Sequence, residues 1–204
     1  MVSKIASNVV NQSLRIREDD VVHITASEHT LHLADEIAVE CRKAGAETTT
    51  TYFSESLWYW SLENLPLDWL RGPSKIDSTL LDVVSAFIDV HEVADPRPMA
   101  KISAERWAAN SEGADHVYRK FLERKVRSAT VTIGLVTPQR ARSYGFAFPS
   151  WKRVVESALS ADYSKIGATG RKLRELLDGT SHGVHVTSKN GTDLKFRLAA
   201  RRCM

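Results

Sequence analysis

Asp19-Asp20-Val21-Val22-His23-Ile24-Thr25 leads through Ser27-Glu28 into a helical pattern from His29 to Ala44, then Gly45, then Ala46 to Phe53 with its four consecutive threonines. This stretch decides the fold class. Its first segment is a short apolar run of strand length, the pattern of a buried strand. Ser27 or Glu28 opens the helix, in which Leu31, Leu33, Ala34, Ile37, Ala38 and Cys41 recur about three and four residues apart, and Gly45 supplies the C-cap. The β-branched threonines suit an extended backbone. Residues 20 to 53 therefore read as one βαβ unit.

Working outward, Ile5 to Leu14 reads as a short helix, and the span from Leu80 to Val90 contains a third strand that ends before Asp95-Pro96-Arg97-Pro98. A long helix follows from about Ala100 to Lys125, interrupted near Asn110 to Gly113. Ser128 to Val136 is a fourth strand bounded by Thr137-Pro138. Alternation of this kind predicts a parallel sheet with crossover helices. Beyond Pro138 come a short helical turn over Gln139 to Tyr144, a helix from Pro149 to about Ser160, and another from Tyr163 to Leu177 that Gly179 ends. His182 to Thr187 and Thr192 to Leu198 then pair as an antiparallel hairpin about Asn190-Gly191, two residues that accept positive φ at little cost. The expected class is α/β: a Rossmann-like parallel sheet with crossover helices, followed by a helical segment and a C-terminal β-hairpin. The expected division is a parallel α/β domain over 1–147 and a helical segment plus hairpin over 148–204, either separate or packed on the first as one domain.

Composition narrows the function classes. With 43% hydrophobic and 26% charged residues among 204, the chain is long and apolar enough to bury a core. The net charge of +3 is spread along the chain, so it gives no electrostatic footprint for nucleic acid, and the basic ending at Arg197, Arg201 and Arg202 reads as a solvated terminus. Two cysteines cannot build a secreted disulfide framework, the N-terminus lacks the apolar core of a signal peptide, and no run approaches the ~20 apolar residues of a membrane span. A cytoplasmic protein without a membrane partner is expected.

Open parallel sheets bind ligands beyond the carboxyl ends of their strands, where the strand order reverses. The residues expected there are Ser27, Glu28, Glu55, His91, Glu92 and Thr137, a polar set able to line a cleft. The plainer reading is that Ser27 caps a helix and the others end solvated loops. A dinucleotide cradle is disfavoured because Thr25-Ala26-Ser27-Glu28 contains no glycine, and Gly167-Ala168-Thr169-Gly170-Arg171-Lys172-Leu173 lacks the spacing of a phosphate loop. His29, His32 and Glu36 form at most an incomplete metal shell on a polar helix face. His182 and His185 point to opposite faces of a strand. Cys41 lies inside a helix with no readable base, and no Gly-x-Ser-x-Gly elbow occurs. The aromatic segment from Leu57-Trp58-Tyr59-Trp60 to Trp69-Leu70 is expected mainly in core or subunit contacts. No catalytic and no metal-ligating residue emerges.

Taken in order, Asp20-Val21-Val22 through Ala34, Ala44-Gly45-Ala46, Trp151, Ala161-Asp162-Tyr163 and Gly191-Thr192-Asp193-Leu194-Lys195-Phe196 followed by Arg201 resemble the N-terminal half of the thermophilic leucyl aminopeptidase (aminopeptidase T) family of dinuclear metallo-exopeptidases. The resemblance implies a parallel α/β layer here. It also implies that the glutamates, histidines, tyrosine and aspartate of the metal site belong to the C-terminal half, so the divalent metal pair is expected only in full-length relatives and no cofactor in this chain. The chain is then either a truncated N-terminal portion or a stand-alone relative that kept the scaffold and lost hydrolysis, and whether it is itself an enzyme stays open. The expected partners are the missing C-terminal half or further copies in a homo-oligomer, with Thr192 to Leu198 as an edge that needs covering. The competing reading is a binding or assembly module, with a small polar ligand in the strand-end cleft or another subunit on the aromatic segment.

Overall fold

A computed structural model of the chain describes residues 2–178 and 183–198. Two compact units are formed, residues 1–161 and 162–204. In the first, β1 (Val21–Ser27), β2 (Glu47–Phe53), β3 (Ala86–Asp89) and β4 (Arg127–Thr130) make one parallel sheet in the order β2-β1-β3-β4. The chain passes from β2 across β1 to β3, so the order reverses between β1 and β3. The α/β class, the parallel sheet and the C-terminal hairpin expected from sequence are all present.

One face of the sheet carries Val22, Ile24, Ala26, Ala86, Ile88 and Val90. These pack on Ile5, Ala6, Val9 and Val10 from α1 (Val2–Ser7) and the π-helical turn after it, and on Leu33, Ala34, Ile37 and Cys41 of α2 (Leu31–Lys43). Burying a side chain such as Ile24 contributes about 2 kcal/mol. The expected helix from Ile5 to Leu14 is thus two pieces, because after Ser7 the chain widens into the π-helix Asn8–Ser13. Gly45, at φ +89, completes a Schellman cap on α2: its N–H bonds Arg42 O and that of Ala46 bonds Cys41 O.

On the opposite face His23 meets the edge of Phe87 at 5.3 Å, and Phe87 packs with Leu81 and Val84 from α5 (Lys75–Val83) and its end, and with Val117 and Phe121 of α6 (Ala104–Glu123). Two expectations change here. The apolar run beginning at Leu80 starts inside a helix, α5, with Ser74 as its N-cap, and the strand is only Ala86–Asp89. The helix after it is unbroken through Asn110–Gly113. Gly113 is needed for packing, since a Cβ there would lie 2.3 Å from the Leu70 carbonyl oxygen. Strand β4 also ends early, and a 3-10 turn takes up Thr132–Leu135.

The aromatic segment forms α3 (Glu55–Asn64) and α4 (Leu67–Arg71). Leu62 and Leu70 are buried, with Trp58 and Trp107 packed beside them, whereas Trp60 and Trp69 remain 55% and 63% exposed. Burial therefore holds for one side of these helices only. After β4 come α7 (Pro138–Ser143) and α8 (Phe148–Leu159), the latter held by a bond from Trp151 Nε1 to Leu135 O. Helix α8 belongs to the first unit, beyond the boundary expected near residue 147.

At the amino edge of the sheet, Asp20 joins three strands. Its Oδ1 accepts from Ser85 Oγ (2.7 Å) and from Arg127 Nη2, and its Oδ2 accepts from the Arg17 N–H at 2.7 Å. Burial opposes the charged carboxylate, but these bonds outweigh it and hold the Asp20 pKa below the usual carboxylate value.

The second unit holds α9 (Tyr163–Asp178) and the hairpin β5 (Val184–Thr187) with β6 (Asp193–Phe196). Its turn differs from the expected two-residue form. Gly191 N–H bonds Ser188 O, Ser188 N–H bonds Thr192 O, and only Gly191, at φ +88, is left-handed. The loop is therefore three residues, Lys189 to Gly191, a β-turn closed by a glycine bulge. Val184 and Val186 pair with Phe196 and Leu194, which places all four on one face of the hairpin. His182 and the ending from Ala199 to Met204, with Arg201, Arg202 and Cys203, lie outside the described residues.

Candidate functional site

The segment after β3, His91 to Asp95, crosses the point where the strand order reverses and has no regular structure of its own. A buried or half-buried loop must find partners for its peptide groups elsewhere. Here side chains from three segments, the end of β1, α3, and α7 with its N-cap, supply them. Ser27 Oγ accepts from Glu92 N–H (2.9 Å) and donates to Glu92 O (2.8 Å). Arg140 Nη2 donates to Val93 O. Glu55 takes the N–H of Ala94 on Oε2 (2.9 Å) and that of Asp95 on Oε1 (3.3 Å). Thr137 Oγ1 donates to Ala94 O at 2.7 Å, and Tyr59 OH donates to Asp95 O at 2.9 Å.

Of the six residues expected at this edge, five thus meet on one loop or form part of it: Ser27, Glu55, His91, Glu92 and Thr137. Ser27 and Thr137 are buried, and Thr137 also caps α7 by accepting from Arg140 N–H. Glu28 stands apart, exposed at the start of the 3-10 turn Glu28–Thr30.

His91 is the most chemically distinctive member. Its Nδ1–H donates to Asp89 Oδ1, which also accepts the His91 N–H (3.1 Å) and the Thr25 hydroxyl (2.8 Å). The ring lies against Phe53 at 4.6 Å. Burial disfavours the imidazolium, yet the bond and charge of Asp89, with Glu92 behind it, outweigh burial and raise the His91 pKa above its ordinary value. Nδ1 is committed to Asp89, and Nε2 makes no hydrogen bond among the described residues.

Asp89, Arg140, Tyr59 and Thr25 escaped the sequence reading. Asp89 had left a signal, an acid inside the apolar run Phe87-Ile88-Asp89-Val90. Arg140 left none, because its partners are a main-chain carbonyl, Glu92 Oε2 at 3.3 Å and the Tyr144 hydroxyl at 3.4 Å. Its side chain is 9% exposed. Tyr59 is pushed up to about 12, first by burial and then by Glu55 and Asp95, so it stays a phenol and a donor.

Among the described residues the donor set does not fit a metal pair. Among the described residues no three His, Cys, Asp or Glu side chains group so as to hold an ion. His29 Nε2 bonds the Gly134 carbonyl at 2.9 Å while His32 pairs with Glu36 at 3.2 Å, so the two histidines of the helical pattern take separate partners. Burial, followed by the charges of Asp20 and Glu40, pushes the Cys41 thiol up to about 11, which removes it as a nucleophile. Among the described residues no helix is long and apolar enough to cross a membrane.

A parallel α/β scaffold with a side-chain-clamped loop at its switch point is the class of protein this geometry defines. A family model described as thermophilic metalloprotease (M29) matches residues 1–203, and the chain belongs to that family. Among solved structures it is similar to wild-type AmpT from Thermus thermophilus, with 20% identity, a TM-score of 0.71, and coverage of 97% of this chain and 53% of that one. That likeness is one of fold. A 2,5-dihydroxypyridine dioxygenase from Pseudomonas putida KT2440 aligns over 97% of this chain and 47% of its own at 14% identity, with a TM-score of 0.46 too low to carry an argument. The chain spans about half the length of these two structures. No curated protein matches it.

Proposed function

We propose that this chain is the aminopeptidase-like α/β domain of a dinuclear metallo-exopeptidase, inactive by itself in the cytoplasm, with the metal ligands supplied by a C-terminal half that is either joined to it or lost. The observation that carries this reading is the use made of the carboxyl-edge side chains. Both oxygens of Glu55 and the hydroxyls of Ser27 and Thr137 hold the 91–95 loop, so these groups build a platform and do not converge on a reacting carbonyl. Peptide hydrolysis by paired ions needs several ligands converging on two cations. Amino-acid anilides incubated with the purified chain and a series of divalent cations should show no turnover above the metal blank. Robust hydrolysis that co-elutes with the protein would overturn the proposal.

His91 supports a second reading, a small-ligand module, because its ring is oriented by Asp89 and Phe53 while Nε2 is left to a ligand. A thermal-shift series with dipeptides, nucleotides and metals separates the two, since a ligand selective for the folded state raises Tm and a bare platform gains nothing.

A further inference from the structure

The longest strand edge among the described residues is the outer side of β2, Glu47–Phe53, whose inner side pairs with β1 along its whole length. The Glu47 N–H points inward, to Asp20 O at 2.9 Å. By the alternation of a strand ladder, Thr48, Thr50 and Tyr52 therefore turn their N–H and C=O groups outward. Among the described residues no hydrogen bond reaches those outward groups. The edge also lacks the usual protections, since it carries no proline, no lysine and no bulge.

We propose that this edge is the contact surface for a second copy of the chain, joined antiparallel across a two-fold axis through Thr50. The three outward residues are symmetric about Thr50. A second copy brings Thr50 against Thr50 and, on each side, Thr48 against Tyr52, and each such pair exchanges two N–H···O bonds, about six in all. Every outward group is then satisfied. The side chains agree with the same register: Thr49 faces Thr51, the Tyr52 ring covers the Thr48 methyl, and Glu47 meets Phe53, so no like charges oppose one another.

Helix α2 obeys the same axis. Arg42 Nε bonds Thr48 Oγ1 at 2.9 Å, which places that helix face beside the edge, and Val39 and Asp35 lie three and seven residues earlier on the same face. Val39 is 52% exposed, and Asp35 and Arg42 are exposed as well. Thr50 lies two strand steps beyond Thr48. Because α2 returns between two parallel strands, that distance carries the axis back about four residues along the helix from Arg42, to the neighbourhood of Val39. In the pair, Val39 meets Val39 at the axis while Asp35 of each copy faces Arg42 of the other. Isologous contacts of this self-complementary kind close as dimers.

Sedimentation equilibrium of the full chain tests the arrangement, with circular dichroism to confirm folding of each variant. Wild type is expected to dimerise. Thr50→Pro, which removes an outward donor that takes no part in the β1 ladder, should abolish the dimer. Asp35→Arg and Arg42→Asp should each raise the dissociation constant on the order of tenfold, and the two together should restore it. A wild-type chain that stays monomeric at every concentration overturns the proposal. So does a dimer indifferent to the charge reversals, or one that Thr50→Pro leaves intact while Phe196→Asp in the hairpin dissolves it.

Discussion

The amino and carboxyl edges of the same sheet are both closed by buried or half-buried polar groups, but they are built from opposite kinds of contact. At the amino edge one carboxylate, Asp20, gathers Ser85, Arg127 and the Arg17 amide, so three strands depend on a single acceptor. At the carboxyl edge a five-residue loop is held by Ser27, Glu55, Tyr59, Thr137 and Arg140, each taking one or two peptide groups. A concentrated node fails at one residue. A distributed clamp loses strength in steps.

The largest test of that contrast is Asp20→Ala. It leaves the Arg127 guanidinium and the Ser85 hydroxyl without their shared acceptor and should lower the unfolding free energy by about 3 kcal/mol in urea titrations at neutral pH. The sign with pH follows from a folded pKa held below its unfolded value. The contribution of Asp20 is complete above about pH 4, near the ordinary carboxylate value, and is lost as pH falls through the folded value, so wild type and variant should converge in acid. If the gap persists unchanged down to pH 2, the node does not act through its charge.

At the other edge Arg140→Ala should cost about 2 kcal/mol, less than the loss at Asp20, because Ser27, Glu55, Thr137 and Tyr59 still hold the loop. An equal or greater loss would show that the clamp is not distributed. The smallest effect is expected at His91→Gln. A folded pKa raised above the ordinary ~6.5 gives stability that is fully present below that pH and fades as pH rises through the folded value. The variant should therefore lose a few tenths of a kcal/mol at pH 5.5 and nearly nothing well above neutrality, as read from urea midpoints across that range.

The same contrast explains which parts of the molecule were legible in the sequence. Strand β1, helix α2, Gly45 and β2 could be read because local pattern and cap chemistry agree there, as the completed Schellman motif at Gly45 confirms. Helix α5 was hidden because Leu80 to Ile88, apolar but for Asp82 and Ser85, runs across a helix–strand junction with neither glycine nor proline to mark it, although the Ser74 hydroxyl accepting from Asp77 N–H was a readable start. At the carboxyl edge the residue types could be named from strand ends alone. What they bond could not, since Arg140 and Tyr59 meet carbonyls that only the folded path of residues 91–95 brings to them.

Gly113 carries a further implication. With Leu70 O lying where a methyl group would stand, α4 rests in a notch on α6 that no side chain can share. The spacing of those two helices is set by backbone against backbone, so neighbouring apolar residues are free to change without moving the joint, whereas position 113 tolerates no growth. A single missing carbon atom thereby works as the gauge to which that corner of the protein is assembled.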